Sequence, residues 1–223
     1  MDFKIVIKNG ESVISADIKN LMVVGFSGKD VEKTMEHIHE LEKEGVKCPS
    51  EVPVPYQCDP QIVTRKEIID VIGPKTSGEA EYLILCHEGK FYIGIGSDHT
   101  DREMEAVSIH KSKQVCLKPC SVEFWDYEEV KDHLPQLRLI STQVVDGKEI
   151  DYQNGVAGDL LPFDVIIEKV QKEVPLEDCL IYTGTVPLLN GFRFGKQFSA
   201  RLVDDQLGRE LSLTYKIHVI DEH

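Results

Sequence analysis

The chain has 223 residues, 41% hydrophobic and 29% charged, the proportions of an ordinary globular protein and not of a disordered tail or a coiled coil. Lys and Arg number 25 against 39 Asp and Glu, and the resulting charge of −14 opposes nonspecific binding to nucleic acid or anionic lipid. No apolar run reaches the roughly 18 residues of a membrane-spanning helix, and Met1-Asp2-Phe3-Lys4 does not open into the apolar stretch of a signal peptide. The six cysteines form no CxxC pair, so reduced thiols in a cytoplasmic protein are expected, with no zinc ribbon or thioredoxin-like site.

In chain order, Phe3-Lys4-Ile5-Val6-Ile7 and Ser12-Val13-Ile14-Ser15 flank Asn9-Gly10, a hairpin signal. Leu21-Met22-Val23-Val24-Gly25 reads as a further strand. Over residues 29–44, Val31, Met35, Ile38 and Leu41 recur at helical spacing, and Gly45 closes that stripe. Residues 49–60, broken by Pro53 and Pro55, read as loop, and Thr64 is placed as the cap of a short helix running to Ile72. Strands are expected to dominate residues 79–120. Asp126-Tyr127-Glu128-Glu129 opens a short helix, residues 137–145 form a strand before the Asp146-Gly147 turn, and residues 164–170 form a helix. Residues 179–185 form a buried strand and 198–219 two more. Strands outnumber helices, which predicts a β-rich α+β fold with a small N-terminal portion over residues 1–75 and a main domain over 76–223.

The chemistry concentrates in residues 79–98. Two strand-like runs flank Glu88-Gly89, and a two-residue loop there sets His87 opposite Lys90, Glu81 opposite Gly96 and Glu79 opposite Asp98. Side chains alternate faces along a strand, so Glu79, Glu81 and Asp98 fall on one face with space left by Gly96. Like charges so placed destabilise a sheet unless neutralised. A hard divalent cation does this, and an all-oxygen set suits Mg²⁺, Mn²⁺ or Ca²⁺ better than zinc. The alternative is that the strands end early and leave Glu79 and Asp98 solvated. In this register His99 faces away from the carboxylates and His87 lies at the turn.

These residues resemble the fumarylacetoacetate hydrolase superfamily in a divergent branch. Glu79-Ala80-Glu81-Tyr82 is similar to its Glu-x-Glu-Leu motif, and Ser97-Asp98-His99-Thr100-Asp101-Arg102-Glu103 to its Asn-Asp-Val-Thr-Ala-Arg-Asp block. Lys111-Ser112-Lys113-Gln114-Val115-Cys116 resembles the Lys-Ser-Phe-Asp…Cys-Pro block, and residues 176–187, ending Thr183-Gly184-Thr185-Val186-Pro187, the segment that closes on Thr-Gly-Thr-Pro. The resemblance extends over residues 79–215, with Ser97, Lys113-Gln114 and Leu188-Leu189 departing from the pattern. It implies a β-fold of mixed, rolled sheets with a few short helices, and Mg²⁺ or Mn²⁺ held by Glu79, Glu81 and Asp98. It also implies a homodimer acting on a small organic acid, while the charge and the lack of a long apolar run speak against a nucleic-acid or membrane partner.

By the same resemblance the activity is hydrolysis of a 2-oxo or diketo acid through a metal-stabilised enolate, or a lyase reaction (decarboxylation, hydration, tautomerisation) through the same enolate. A binding protein that keeps the fold without catalysis is the alternative of a different class. Lys111 matches the family's active-site lysine, beside the plainer reading of a surface lysine. Arg102 is placed as a clamp for a substrate carboxylate or else in an ion pair with Asp101 or Glu105. Thr185 is placed as a substrate-binding hydroxyl or a strand-end threonine. His37 and Glu40 have the His-x-x-Glu spacing of a water-activating pair, with a solvated histidine as the other reading.

Overall fold

The computed structural model describes residues 1–32, 35, 49 and 51–221. The strands are β1 Asp2–Ile7, β2 Gly10–Ser15, β3 Asn20–Gly25, β4 Val54–Cys58, β5 Val63–Thr64, β6 Ile68–Ile72, β7 Thr76–Ser77, β8 Ala80–His87, β9 Lys90–Ser97 and β10 Thr100–Asp101. They continue with β11 Lys118–Pro119, β12 Glu123–Asp126, β13 Arg138–Val145, β14 Lys148–Val156, β15 Cys179–Tyr182, β16 Gln197–Asp204 and β17 Arg209–Ile220. Eight of them form one mixed sheet in the order β2-β1-β12-β9-β8-β15-β3-β4, and five form a second, β14-β13-β16-β17-β6. The short pairs β10-β7 and β11-β5 lie beside the hairpin β8-β9 and bring the site residues to its open end. Short helices cover Arg102–Val107, Ile109–Val115, Tyr127–Val130 and Phe163–Val170. The β-rich α+β class is as expected. Among the described residues no helix is long and apolar enough to cross a membrane.

The middle strands of the larger sheet are buried on both faces, which is why β8 reads as an almost unbroken apolar run. Its Tyr82, Ile84 and Cys86 join Ile93, Ile95 and Trp125 against Leu139, Phe198, Leu202 and Tyr215 of the second sheet. The alternate residues Leu83 and Leu85 pack instead with Phe3, Leu21, Phe124, Leu180 and Tyr182. Glu81, one strand period from Leu83, therefore belongs to the second of these faces. Residues 1–75 supply β1 to β4 to the large sheet and β6 to the smaller, so both sheets are shared with the rest of the chain.

Several local expectations change. The helix placed between Thr64 and Ile72 is strand β6: Ile69 and Val71 are buried while Ile68, Asp70 and Ile72 are exposed, a two-residue period that pairs in parallel with β17. Residues 54–58, read as loop, form β4. Proline is tolerated there because β4 is the outermost strand of its sheet. The first hairpin closes through Lys8 and Asn9, with Gly10 opening β2, so the turn comes one residue earlier than Asn9-Gly10. Residues 102–115, expected as strand, form two helices capped by Asp101, which accepts from the Glu103 and Met104 N–H groups, and by Ser108. The first buries none of its residues and so carries no apolar stripe to read. Most of the helix expected over 29–44 lies outside the described residues.

Gly94 on β9 lies under the Phe124 ring, where a Cβ would overlap it. Phe124 cannot retreat, because it meets Phe3 edge-on with ring centroids 5.1 Å apart. Gly94→Ala is expected to cost about 1–3 kcal/mol of stability by overpacking. Urea unfolding checks this, and an unchanged midpoint would contradict the packing described.

Candidate metal centre

The hairpin β8-β9 turns through Glu88 at φ 50° and Gly89 at φ 71°, a two-residue connection of the twist that antiparallel strands prefer. It fixes the register His87↔Lys90, Leu83↔Gly94 and Glu81↔Gly96. The ladder runs one step further, where the Asp98 N–H donates to the Glu79 carbonyl at 3.0 Å. Gly96 is required opposite Glu81, since a Cβ there would stand 2.8 Å from both Leu83 Cδ2 and Tyr182 Cε1. The result is the predicted cluster: Glu79, Glu81 and Asp98 each present an oxygen, and these lie within 4.8 Å of one another. Glu81 and Asp98 are buried.

The surrounding cations are distributed unevenly. Asp98 Oδ2 accepts from Lys113 Nζ, and Oδ1 lies 3.2 Å from Lys118 Nζ and accepts from Thr100 Oγ1 at 3.2 Å. Burial opposes the Asp98 charge, but the two ammonium groups outweigh it and hold the carboxyl well below the usual range. Glu79 pairs with Arg102 Nη2 at 3.2 Å, yet burial still raises its pKa. Among the described residues Glu81 has no cation of its own. Its Oε2 accepts from the Gly184 N–H at 2.8 Å, while burial and the adjacent Asp98 charge push its pKa well up. Gly184 adopts φ 99°, and a Cβ there would collide with Ser27 Oγ, so only glycine brings that N–H to Glu81.

Among the described residues four carboxylates (Glu79, Glu81, Asp98 and Glu105) face three cations (Arg102, Lys113 and Lys118), which leaves one formal negative charge, most exposed in its effect at Glu81. An all-oxygen donor set with surplus negative charge fits Mg²⁺ or Mn²⁺.

The remaining residues fall into place around this set. Lys111 is exposed, and the lysine that reaches Asp98 is Lys113. Positions 111 and 113 sit about 200° apart around the helix Ile109–Val115, so only one can face inward. Arg102 does not offer a free clamp: Nε donates to Ser77 Oγ at 2.8 Å, Nη1 to Glu105 at 2.8 Å, and Nη2 faces Glu79, while the Phe192 ring covers its plane at 4.5 Å. Thr185 is likewise committed. Its hydroxyl donates to the Ala80 carbonyl at 2.8 Å and accepts from Gln153 Nε2 at 2.6 Å. His99 faces away from the carboxylates, bonded through Nδ1 to Tyr215 and through Nε2 to Thr76, each at 2.9 Å. His87 contacts Asp178 at 2.6 Å near the turn. His37 and Glu40 lie outside the described residues. Lys118 and Ser77 carried no motif that would single them out.

The family model described as "Protein of unknown function (DUF2848)" matches residues 24–215. The chain belongs to the DUF2848 family. No curated protein matches this DUF2848 sequence. Among solved structures it is similar to the apo form of 2-keto-3-deoxy-D-arabinonate dehydratase, at 15% identity and a TM-score of 0.68 over 95% of this chain and 77% of that one. The same dehydratase complexed with magnesium and 2,5-dioxopentanoate gives 15% identity and a TM-score of 0.65 over 92% and 75%. A candidate fumarylacetoacetate isomerase/hydrolase from Oleispira antarctica gives 18% and 0.66 over 93% and 96%. The DUF2848 chain therefore has the fumarylacetoacetate hydrolase-like fold, in agreement with the resemblance read from its motifs.

Burial, aided by the Lys118 and Arg102 charges, holds the His99 pKa down to about 3, against an ordinary 6.5. Between these values the unfolded chain takes up a proton that the folded chain refuses, so stability is full above 6.5 and is lost as pH falls toward 3. In His99→Asn the part of this loss that falls between about pH 6 and about pH 4, about 2 kcal/mol, should disappear. Denaturant titrations at both pH values check it, and parallel slopes in the two proteins would contradict a neutral, buried His99.

Proposed function

We propose that the chain is a divalent-metal-dependent hydrolase or lyase of a small 2-oxo acid or diketo acid. The observation that carries this reading is the convergence of Glu79, Glu81 and Asp98 within one cation's reach at the end of a hairpin whose register leaves them no other arrangement. The fold-mate complexed with magnesium and 2,5-dioxopentanoate lends it support. When bound, Mg²⁺ or Mn²⁺ supplies Lewis-acid stabilisation of the charge that develops on an enolate.

In this proposal Glu79, Glu81 and Asp98 hold the ion. Lys113, with one donor on Asp98 and two to spare, orients the substrate's oxygens in the role first placed on Lys111. Lys118 is spent on Asp98 and on the carbonyls of His99 at 2.7 Å and Cys116 at 3.2 Å, so its part is to keep Asp98 ionised. Arg102 orients Glu79, and Thr185 with Gln153 fixes the β8 backbone beside Glu81. His99 cannot serve as a base with both nitrogens engaged. His37 and Glu40 are proposed to activate water if the reaction is hydrolytic. Release of two acidic fragments identifies a hydrolase, and loss of CO₂ or water a lyase. The acidic chain is proposed to work as a cytoplasmic homodimer without nucleic-acid or membrane partners.

Calorimetric titration of Mn²⁺ into chelator-stripped protein tests this. Oxalate copies the chelating end of an enolpyruvate, so Mn²⁺ should bind more tightly in its presence. Glu81→Ala, which removes a direct ligand, should weaken Mn²⁺ by at least about 100-fold. Absence of metal binding in the intact protein would overturn the metal centre, and metal without oxalate coupling would overturn the 2-oxo acid.

A further inference from the structure

Arg102 is held on all sides by the protein, and one of those sides is apolar and open. Its guanidinium carries Glu79 and Glu105 at its edges, and Phe192 lies over its face with the ring centroid 4.5 Å from Cζ. The Arg102 side chain is only 7% exposed, whereas Phe192 is 46% exposed. Phe192 thus uses part of its ring to cover the arginine and presents the rest to solvent, one guanidinium away from the Glu79 carboxylate. Leu189 and Phe194, in the same loop, are exposed as well. The loop is tied at both ends: Leu189 N–H donates to the Tyr152 carbonyl at 2.9 Å, Gly195 N–H to Gln143 Oε1 at 2.9 Å, and Lys196 N–H to the Val144 carbonyl at 2.9 Å. The Phe192 ring is therefore held beside Arg102 and, through it, Glu79.

The charge balance points the same way. Among the described residues the centre carries one surplus formal negative charge, so a divalent ion turns it to one surplus positive, which a single ligand carboxylate neutralises. A second carboxylate at the far end of the ligand would find the nearby cations engaged, Arg102 on Glu79, Glu105 and Ser77 and Lys75 on Glu103 at 2.8 Å. Arg193 is the exception on the loop, and it turns Nη1 back to the Phe192 carbonyl at 3.1 Å.

We infer that Phe192 is a specificity-determining residue, and that the site takes a monocarboxylic 2-oxo acid whose distal arm is neutral and apolar or aromatic, packed on the Phe192 ring. This inference rests on the 2-oxo acid reading above. It adds the substrate class at the end remote from the ion, where stacking on an aromatic ring adds affinity beyond simple burial.

The test uses the full chain loaded with Mn²⁺, and measures the affinities of oxalate, pyruvate, phenylpyruvate and 2-oxoglutarate by calorimetry. Phenylpyruvate should bind about 10-fold more tightly than pyruvate, with 2-oxoglutarate no better than pyruvate. Phe192→Ala should abolish the phenyl advantage and leave oxalate, which has no distal arm, with its original affinity, while Phe192→Tyr should restore the advantage. Equal binding of phenylpyruvate and pyruvate by the intact protein, an equal gain for 2-oxoglutarate, or a phenyl advantage that survives Phe192→Ala would each overturn the inference alone. Failure of oxalate to couple to Mn²⁺ would overturn the 2-oxo acid reading and this inference with it. The ligand series on the intact protein decides the matter even where a variant does not fold.

Discussion

Crowding of like charge is the constraint on which the rest of this structure depends. Ionised carboxylates at 4.8 Å, the upper limit of separation between the facing oxygens here, repel by roughly 3 kcal/mol per pair at an effective dielectric near 20, and Glu79, Glu81 and Asp98 make three such pairs when all are charged. The sum, about 10 kcal/mol, is comparable with the whole stability of a domain this size. Much of the architecture around the hairpin can be understood as the answer. β11 delivers Lys118, the helix Ile109–Val115 delivers Lys113, and the helix Arg102–Val107 begins with the arginine that meets Glu79. Glu81 alone is left to a single backbone N–H, and the cluster stays one positive charge short of balance.

That same arithmetic separates residues that can act on a ligand from those that only hold the site. Lys118, Arg102 and Thr185 look, by residue type, like substrate-binding groups, but their donors end on protein acceptors. Lys113 keeps donors in reserve. A polar side chain near a site is informative only after its hydrogen bonds have been counted, and here the count moves the chemistry onto one lysine and three carboxylates.

The hairpin was legible in the sequence because three independent constraints agree on it: a turn pair able to take positive φ, a strand-like run on each side of that pair, and glycines where facing side chains would collide. One register satisfies all of them. The choice between Lys111 and Lys113 was not legible, since both fit a basic motif and only the phase of the short helix decides between them. The segment of β6 reads as helix because Thr64 and Gly73-Pro74 punctuate it as they would a helix, whereas its real partner is β17, almost 150 residues onward. Asp101 and Ser108 cap helices that have no apolar face to advertise them. Short-range rules fail where the deciding partner is distant or the element buries nothing.

The order of strands in the large sheet also bears on how the chain is made. β3 lies between β4 and β15, and the contact of Lys19 with Asp178 beside it spans 159 positions. A ribosome must therefore release more than three-quarters of the polypeptide before Leu21, Met22 and Val23 gain their inner neighbour. Until then this apolar strand is an open edge, able to pair with another nascent copy. Closure of the sheet is a late, whole-chain event, and the β3 edge is the part of the fold that stays open to mispairing while the chain is being made.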